Sequence, residues 1–265
     1  MSLDHTDNQH NITNPQLSPK HRAMLDASAV APAVREESGV YSTDGGAELP
    51  PGFSKRQRRL GPGILFKIHR PDGDTAWCFR PDKPDPKNPG AKYEVMPKLR
   101  PGRKHGGPGN VLYVHPSQRH LVAHLDVPVI FVEGIKKALA IISAAREIGV
   151  EVLVVGVTGT WNWMSDHRPI PDMHEVPVQG REASVWYDSD MLRNPSVQLA
   201  ASRLAEHLIE RGARVGITYM HDHADGSKMG ADDYLVAGGT LEGARALTRP
   251  YDLADFAVVR SSRDE

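Results

Sequence analysis

The chain has 265 residues, a formal net charge of -1 and a 39% hydrophobic content, which suits one substantial soluble domain with a smaller piece attached. The single cysteine, Cys78, excludes an internal disulfide and any cysteine-built zinc cluster, so a reducing compartment is expected. No apolar run approaches a membrane span and the opening Met1-Ser2-Leu3-Asp4-His5 has no signal-peptide pattern, so the expectation is a cytoplasmic protein with no membrane partner.

Residues 1–45 are polar apart from an Ala-rich patch from Ala23 to Val34, and they are expected to form a disordered tail with at most one transient helix. A basic β-rich module and linker are expected over 46–109. Between residues 51 and 104 the chain carries fourteen Lys and Arg against five Asp and Glu, and Lys55-Arg56-Gln57-Arg58-Arg59 is the densest cluster. Ile64–Ile68 and Thr75–Arg80 alternate as two strands around the turn sequence Pro71-Asp72-Gly73-Asp74. Such an excess of charge is the footprint expected of nucleic-acid binding, through Lys55, Arg56, Arg58, Arg59 and Arg80. The interleaved Phe53, Phe66, Trp77, Phe79 and Tyr93 are expected to form a small core beneath the hairpin. Gly106-Gly107-Pro108-Gly109 lacks the lysine-hydroxyl ending of a P-loop and is taken as a linker.

From residue 110 to 240 the pattern becomes that of an α/β domain. Val129–Val132, Val152–Val155, Ser184–Tyr187 and Arg214–Met220 have the composition of buried strands, separated by helical patterns at Gly134–Gly149 and Asn194–Gly212. Asn194 and Pro195 supply an N-cap and a first-turn proline. Glu133, Asp188 and Asp190 fall just past strands, where open parallel sheets bind ligands. Carboxylates gathered at one sheet edge repel, and a divalent cation relieves that repulsion; oxygen-only ligands suit Mg2+ or Mn2+. Asp232 and Asp233 are an N-cap pair for the last helix, further ligands to the same metal, or both. Of Lys136 and Lys137, one is expected to face the site and meet phosphate; Lys136 is taken as that residue and Lys137 as solvent-exposed. Trp161 and Trp163, in a glycine-punctuated loop, either stack bases or cap the core. Residues 241–265 are expected to hold a C-terminal helix and tail.

The set Val132-Glu133-Gly134-Ile135-Lys136-Lys137-Ala138, Gly159-Thr160-Trp161-Asn162-Trp163, Tyr187-Asp188-Ser189-Asp190 and Gly230-Ala231-Asp232-Asp233-Tyr234-Leu235 resembles the Toprim (topoisomerase–primase) domain. Its order and spacing are similar to the domain-of-unknown-function 3854 family, Toprim-like proteins of phages, plasmids and bacteria that often accompany replicative helicases. The resemblance implies a Rossmann-like fold with a mainly parallel sheet, and Glu133 as the group near the reacting phosphate, acting as general acid/base or through metal. It also implies Asp188 and Asp190 as Mg2+ ligands. Topoisomerase versions carry a third acid where this chain has Leu192, which favours the primase or nuclease branch.

Three functions follow as expectations. One is metal-dependent nucleotidyl transfer on single-stranded DNA or RNA, using nucleotides and a separately encoded helicase. The second is phosphodiester cleavage at the same site. The third is non-catalytic nucleic-acid binding.

Overall fold

The computed structural model describes residues 16–102 and 106–256. Two short helices come first. Ser18 caps α1 (Pro19–Asp26), its hydroxyl accepting from the His21 amide, and Pro19 occupies the first turn. α2 (Pro32–Ser38) also starts on proline and stops at Gly39, whose φ of +70° suits a residue without a side chain. Leu25, Val30 and Val34 from this pair are buried. Within the tail expected over 1–45, residues 16–45 are therefore folded, while residues 1–15 lie outside the described residues. Helices this short gain little stability on their own and depend on tertiary packing, which a periodicity argument does not register.

After β1 (Tyr41–Thr43) and the one-turn helix α3 (Lys55–Arg58) come β2 (Gly63–His69), β3 (Thr75–Pro81) and β4 (Glu94–Val95), which form an antiparallel sheet in the order β1-β2-β3-β4. The β2–β3 ladder runs from Gly63 opposite Pro81 to His69 opposite Thr75, closed by the expected turn. Phe53, Phe66 and Phe79 are buried beneath it, Phe53 and Phe79 edge-to-face with centroids 6.3 Å apart.

The remaining elements are β5 (Leu112–Val114), β6 (Val129–Glu133), α4 (Ile135–Glu147), β7 (Leu153–Val157), β8 (Met164–Ser165), β9 (Arg168–Pro169), β10 (Glu182–Trp186), α5 (Pro195–Glu210), β11 (Arg214–Thr218), α6 (Ala231–Val236), α7 (Leu241–Ala246) and β12 (Thr248–Pro250). They build a six-stranded sheet ordered β12-β11-β10-β6-β7-β5. The four inner strands are parallel, and β5 and β12 close the two edges antiparallel. Neither edge strand was anticipated, because three residues carry too little alternation to signal a strand. Covering the open edges of β7 and β11 is their structural service.

Alternation along the inner strands feeds two cores. Ile130, Val132, Val154 and Trp186 face α4 and the antiparallel sheet, in one cluster that also includes Leu25 and Phe79. Val129, Phe131, Val155, Val185 and Ile217 face α5 in the second. The β6-α4-β7 unit runs one way across the sheet and β10-α5-β11 the other, with their helices on opposite faces. The strand order thus reverses between the neighbours β6 and β10, and that crevice is where such sheets bind ligands.

A buried ion pair ties the two sheets together. Asp172, 1% exposed, accepts from Arg70 at 2.6 Å and from the Leu112 amide at 2.9 Å, joining the hairpin turn to β5.

Candidate functional site

Glu133 is the last residue of β6, and Asp188 lies two residues past β10. The two strands pair in parallel with Trp186 opposite Val132, so both acids emerge at the same end of the sheet, at the reversal. The Glu133-Gly134 turn is sharp. Gly134 has φ +93°, and its amide donates to the Val157 carbonyl at 2.6 Å. No side chain caps α4, so its first amide groups open into the crevice, a polarity that favours anions.

Around these elements lies a cleft of about 530 Å³. Glu133, Lys136, Lys137, Asp188, Lys228 and Asp232 line one side. Arg80, Lys92 and Tyr93 of the antiparallel sheet and its loop line the other. The Arg80 guanidinium lies 5.4 Å from the Tyr93 ring centroid, and 3.3 Å separates its Nη1 from the Tyr93 hydroxyl. The site is therefore a meeting of the two sheets: the α/β half brings the acids with Lys136, Lys137 and Lys228, and the antiparallel sheet and its loop add Arg80 and Lys92.

Each acid has a distinct environment. Glu133 accepts from the Thr160 hydroxyl at 3.1 Å, and Thr160 is held in turn by its carbonyl accepting from Tyr187 at 2.9 Å. Burial raises the Glu133 pKa, Lys137 opposes that and the Asp188 charge adds to it; the balance is upward. Asp188, 4% exposed, meets the Lys137 ammonium at 2.5 Å through Oδ1 and the Lys228 ammonium at 2.9 Å through Oδ2. Lys228 also reaches Asp190 Oδ2 at 3.7 Å. Asp232 pairs with Lys136 at 2.7 Å, and Lys136 also donates to the Ser28 hydroxyl at 2.6 Å.

One expectation about the lysines is corrected here. Lys136 lines the cleft, its ammonium meeting Asp232 and the Ser28 hydroxyl. Lys137, expected in solvent, is the lysine that meets Asp188, and its side chain is only 17% exposed. The phase of α4 does not separate the two lysines, which stand four residues before the buried Ala140 and Ile141 respectively. Burial works to lower the Lys137 pKa, but Asp188 and Glu133 outweigh it and raise the value, so the ammonium persists.

The five-residue metal set is corrected too. Among the described residues, no three His, Cys, Asp or Glu side chains gather as a metal-holding group. Asp233 accepts from the Gly230 amide at 3.0 Å and serves as a cap for α6, and one oxygen of Asp232 is taken by Lys136. Asp188 and Asp190 nevertheless suit a hydrated Mg2+ or Mn2+, which takes one or two carboxylates and keeps its waters. Oδ1 of Asp188, Asp190 and Asp232 are buried without a hydrogen bond, Asp188 Oδ1 having only the ammonium contact. A Cβ on Gly230 would stand 2.6 Å from Lys137 Cε and 3.0 Å from Oδ1 of both Asp188 and Asp232, so glycine here leaves room for the Lys137 side chain between those two acids.

The basic cluster divides. Arg58 donates to the carbonyls of Gly46 and Leu49 at 2.7 Å, of Pro50 at 2.7 Å and of Phe53 at 3.3 Å, so its guanidinium is spent on its own chain. Arg56 pairs with Asp85 and, at 2.5 Å, with Glu94. Lys55 and Arg59 are exposed. Trp163 is corrected from the nucleic-acid set: it is 2% exposed and stacks on His207 with centroids 5.6 Å apart. Trp161 is half-buried and donates to the Ser196 hydroxyl at 3.2 Å. Lys92 and Lys228, both facing the site, gave no sequence signal of that role beyond their charge.

Residues 119–242 match the family described as domain of unknown function (DUF3854). No curated protein matches the chain by sequence. A solved structure of the DnaG catalytic core aligns over 97% of this chain and 80% of its own, with a TM-score of 0.58 and 16% identity, a likeness of fold. A chain from a structure of bacteriophage T7 lagging-strand DNA polymerase interacting with primase domains aligns over 90% of this chain and 94% of its own, at a TM-score of 0.47 and 9% identity, too loose to carry an argument. The α/β half of this chain has a Toprim-like fold, and residues 119–242 are similar to the DUF3854 family.

Proposed function

We propose that this protein carries out metal-dependent phosphoryl or nucleotidyl transfer on single-stranded nucleic acid, as a primase-like protein working with a replicative helicase of a phage, plasmid or other mobile element. The replication setting is supported by the family resemblance alone. The chemistry is supported by one observation above the others. Glu133, its pKa raised by burial, stands beside Asp188 in a cleft whose opposite wall is cationic.

In this reading Arg80 and Lys92 draw phosphate oxygens toward the cleft, and the uncapped amides of α4 receive one of them. Thr160 fixes the Glu133 carboxylate, which takes or returns the proton of the attacking hydroxyl. Mg2+ or Mn2+ on Asp188 and Asp190 supplies charge neutralisation at the transferring phosphoryl group. Lys137 keeps Asp188 in place throughout.

The test is incubation with Mn2+, nucleotides and a labelled single strand. Extension marks polymerisation and shortening marks cleavage. Glu133→Gln should lower either rate by about a hundredfold or more while leaving strand binding intact. A rate unchanged by that substitution removes Glu133 from the chemistry. The non-catalytic reading also has an observation behind it, since Lys137 and Lys228 already neutralise the acids. It gains the field when neither product appears although the strand binds.

A further inference from the structure

The two lysines on Asp188 differ in a way that matters for what the site takes up. Lys137 projects from the first turn of α4, a regular helix, with its side chain 17% exposed. Its ammonium is surrounded by negative charge, with Asp188 at 2.5 Å and Glu133 and Asp232 acting on it through space. Removing it would leave Oδ1 of the buried Asp188 without its ammonium partner. Lys228 comes from the irregular connection between β11 and α6, and its side chain is 51% exposed. The backbone beside it is pinned, because Ser189 accepts from the Met229 amide at 2.9 Å and donates its own amide to the Met229 carbonyl at 2.9 Å. The side chain alone is free to swing into water.

Lys228 also bridges the pair of oxygens that a hard cation would bridge. Its ammonium touches Asp188 Oδ2 at 2.9 Å and Asp190 Oδ2 at 3.7 Å. An ammonium cannot remain there when a divalent ion arrives, since like charges in one small space repel. A half-exposed ion pair is weak enough to give way.

We infer that Lys137 is a permanent internal cation of this site and Lys228 an exchangeable one, so that the site takes up a single divalent ion at Asp188 and Asp190 in place of the Lys228 ammonium. The inference rests on the metal-dependent reading above. It assigns the two lysines opposite roles: Lys137 stays on Asp188 with or without the metal, and Lys228 holds the acids together until the metal binds. The released ammonium then stands at the cleft mouth, where a phosphate can meet it.

The experiment counts Mn2+ bound to the full chain, from the electron paramagnetic resonance signal of the free ion, and needs no turnover. Wild type should bind one ion, and Asp190→Asn should weaken it. Lys228→Met should bind the same number roughly two- to fivefold more tightly, the scale of one ion pair with an exposed partner removed. An unchanged affinity in Lys228→Met overturns the inference while leaving the metal reading standing. Wild type and Lys228→Met both binding no Mn2+ sinks the metal reading itself. Wild-type crystals soaked in Mn2+ separate the two lysines: the anomalous peak should lie on Asp188 and Asp190 with Lys228 withdrawn and Lys137 still on Asp188. A peak at the position of the Lys137 ammonium overturns the inference.

Discussion

The arginine cluster at residues 55–59 and the cations of the cleft make an instructive pair. The cluster is dense in sequence, yet Arg58 donates to four of its own chain's carbonyls and Arg56 is held by Asp85 and Glu94. The cleft draws Arg80, Lys92, Lys137 and Lys228 from four separate places in the chain, and every one of them faces the acids. Charge density along a chain measures composition, whereas a phosphate-binding surface depends on which side chains the packing leaves pointing the same way. The basic module therefore serves the α/β domain in two ways. Arg58 and Arg56 hold the module together, and the module carries Arg80 and Lys92 to the site.

The comparison breaks most visibly at the acids. Asp188→Asn strands the buried Lys137 ammonium, and the loss of one partner from a buried pair costs about 3–5 kcal/mol. Chemical denaturation in the absence of divalent ions should show it. An Asn variant more stable than wild type would mean that the acids repel one another more than the lysines bind them.

A smaller effect separates the arginines of the cluster. Arg58→Ala leaves the Gly46, Leu49, Pro50 and Phe53 carbonyls without their donor and should cost about 2–4 kcal/mol. Arg59→Ala, on an exposed neighbour, should stay within about 0.5 kcal/mol. Equal losses from the two would dissolve the distinction between structural and free cations.

The smallest effect is in salt dependence. Each phosphate contact to a single strand contributes about 0.7 to the slope of log affinity against log salt. Arg80→Ala with Lys92→Ala should flatten that slope by about 1.4, a change Arg58→Ala should not produce once folded protein is selected. A slope that responds to Lys55→Ala with Arg59→Ala instead would move the strand's path from the cleft to the outer face of the module.

The succession of strands and helices from Val129 to Leu235 was legible because it is a local property. A β-branched run of four or five residues, a glycine stop and a helix of the right phase each lie within one window, as at Val129–Val132, Gly134 and the Asn194-Pro195 cap. Placing Glu133 and Asp188 at one end of the sheet followed from parallel pairing, which those patterns imply. The edge strands β5 and β12 and the helices α1 and α2 were not legible, because three to eight residues have no stability without the surfaces they cover. The same reason governs the site. Glu133, Asp188 and Asp190 are set by strand ends and so by sequence. Whether Lys136 or Lys137 meets Asp188, whether Arg58 meets a carbonyl or solvent, and whether Trp163 lies open or against His207 depend on residues up to about a hundred positions away. Only the packed chain brings those partners within hydrogen-bonding reach.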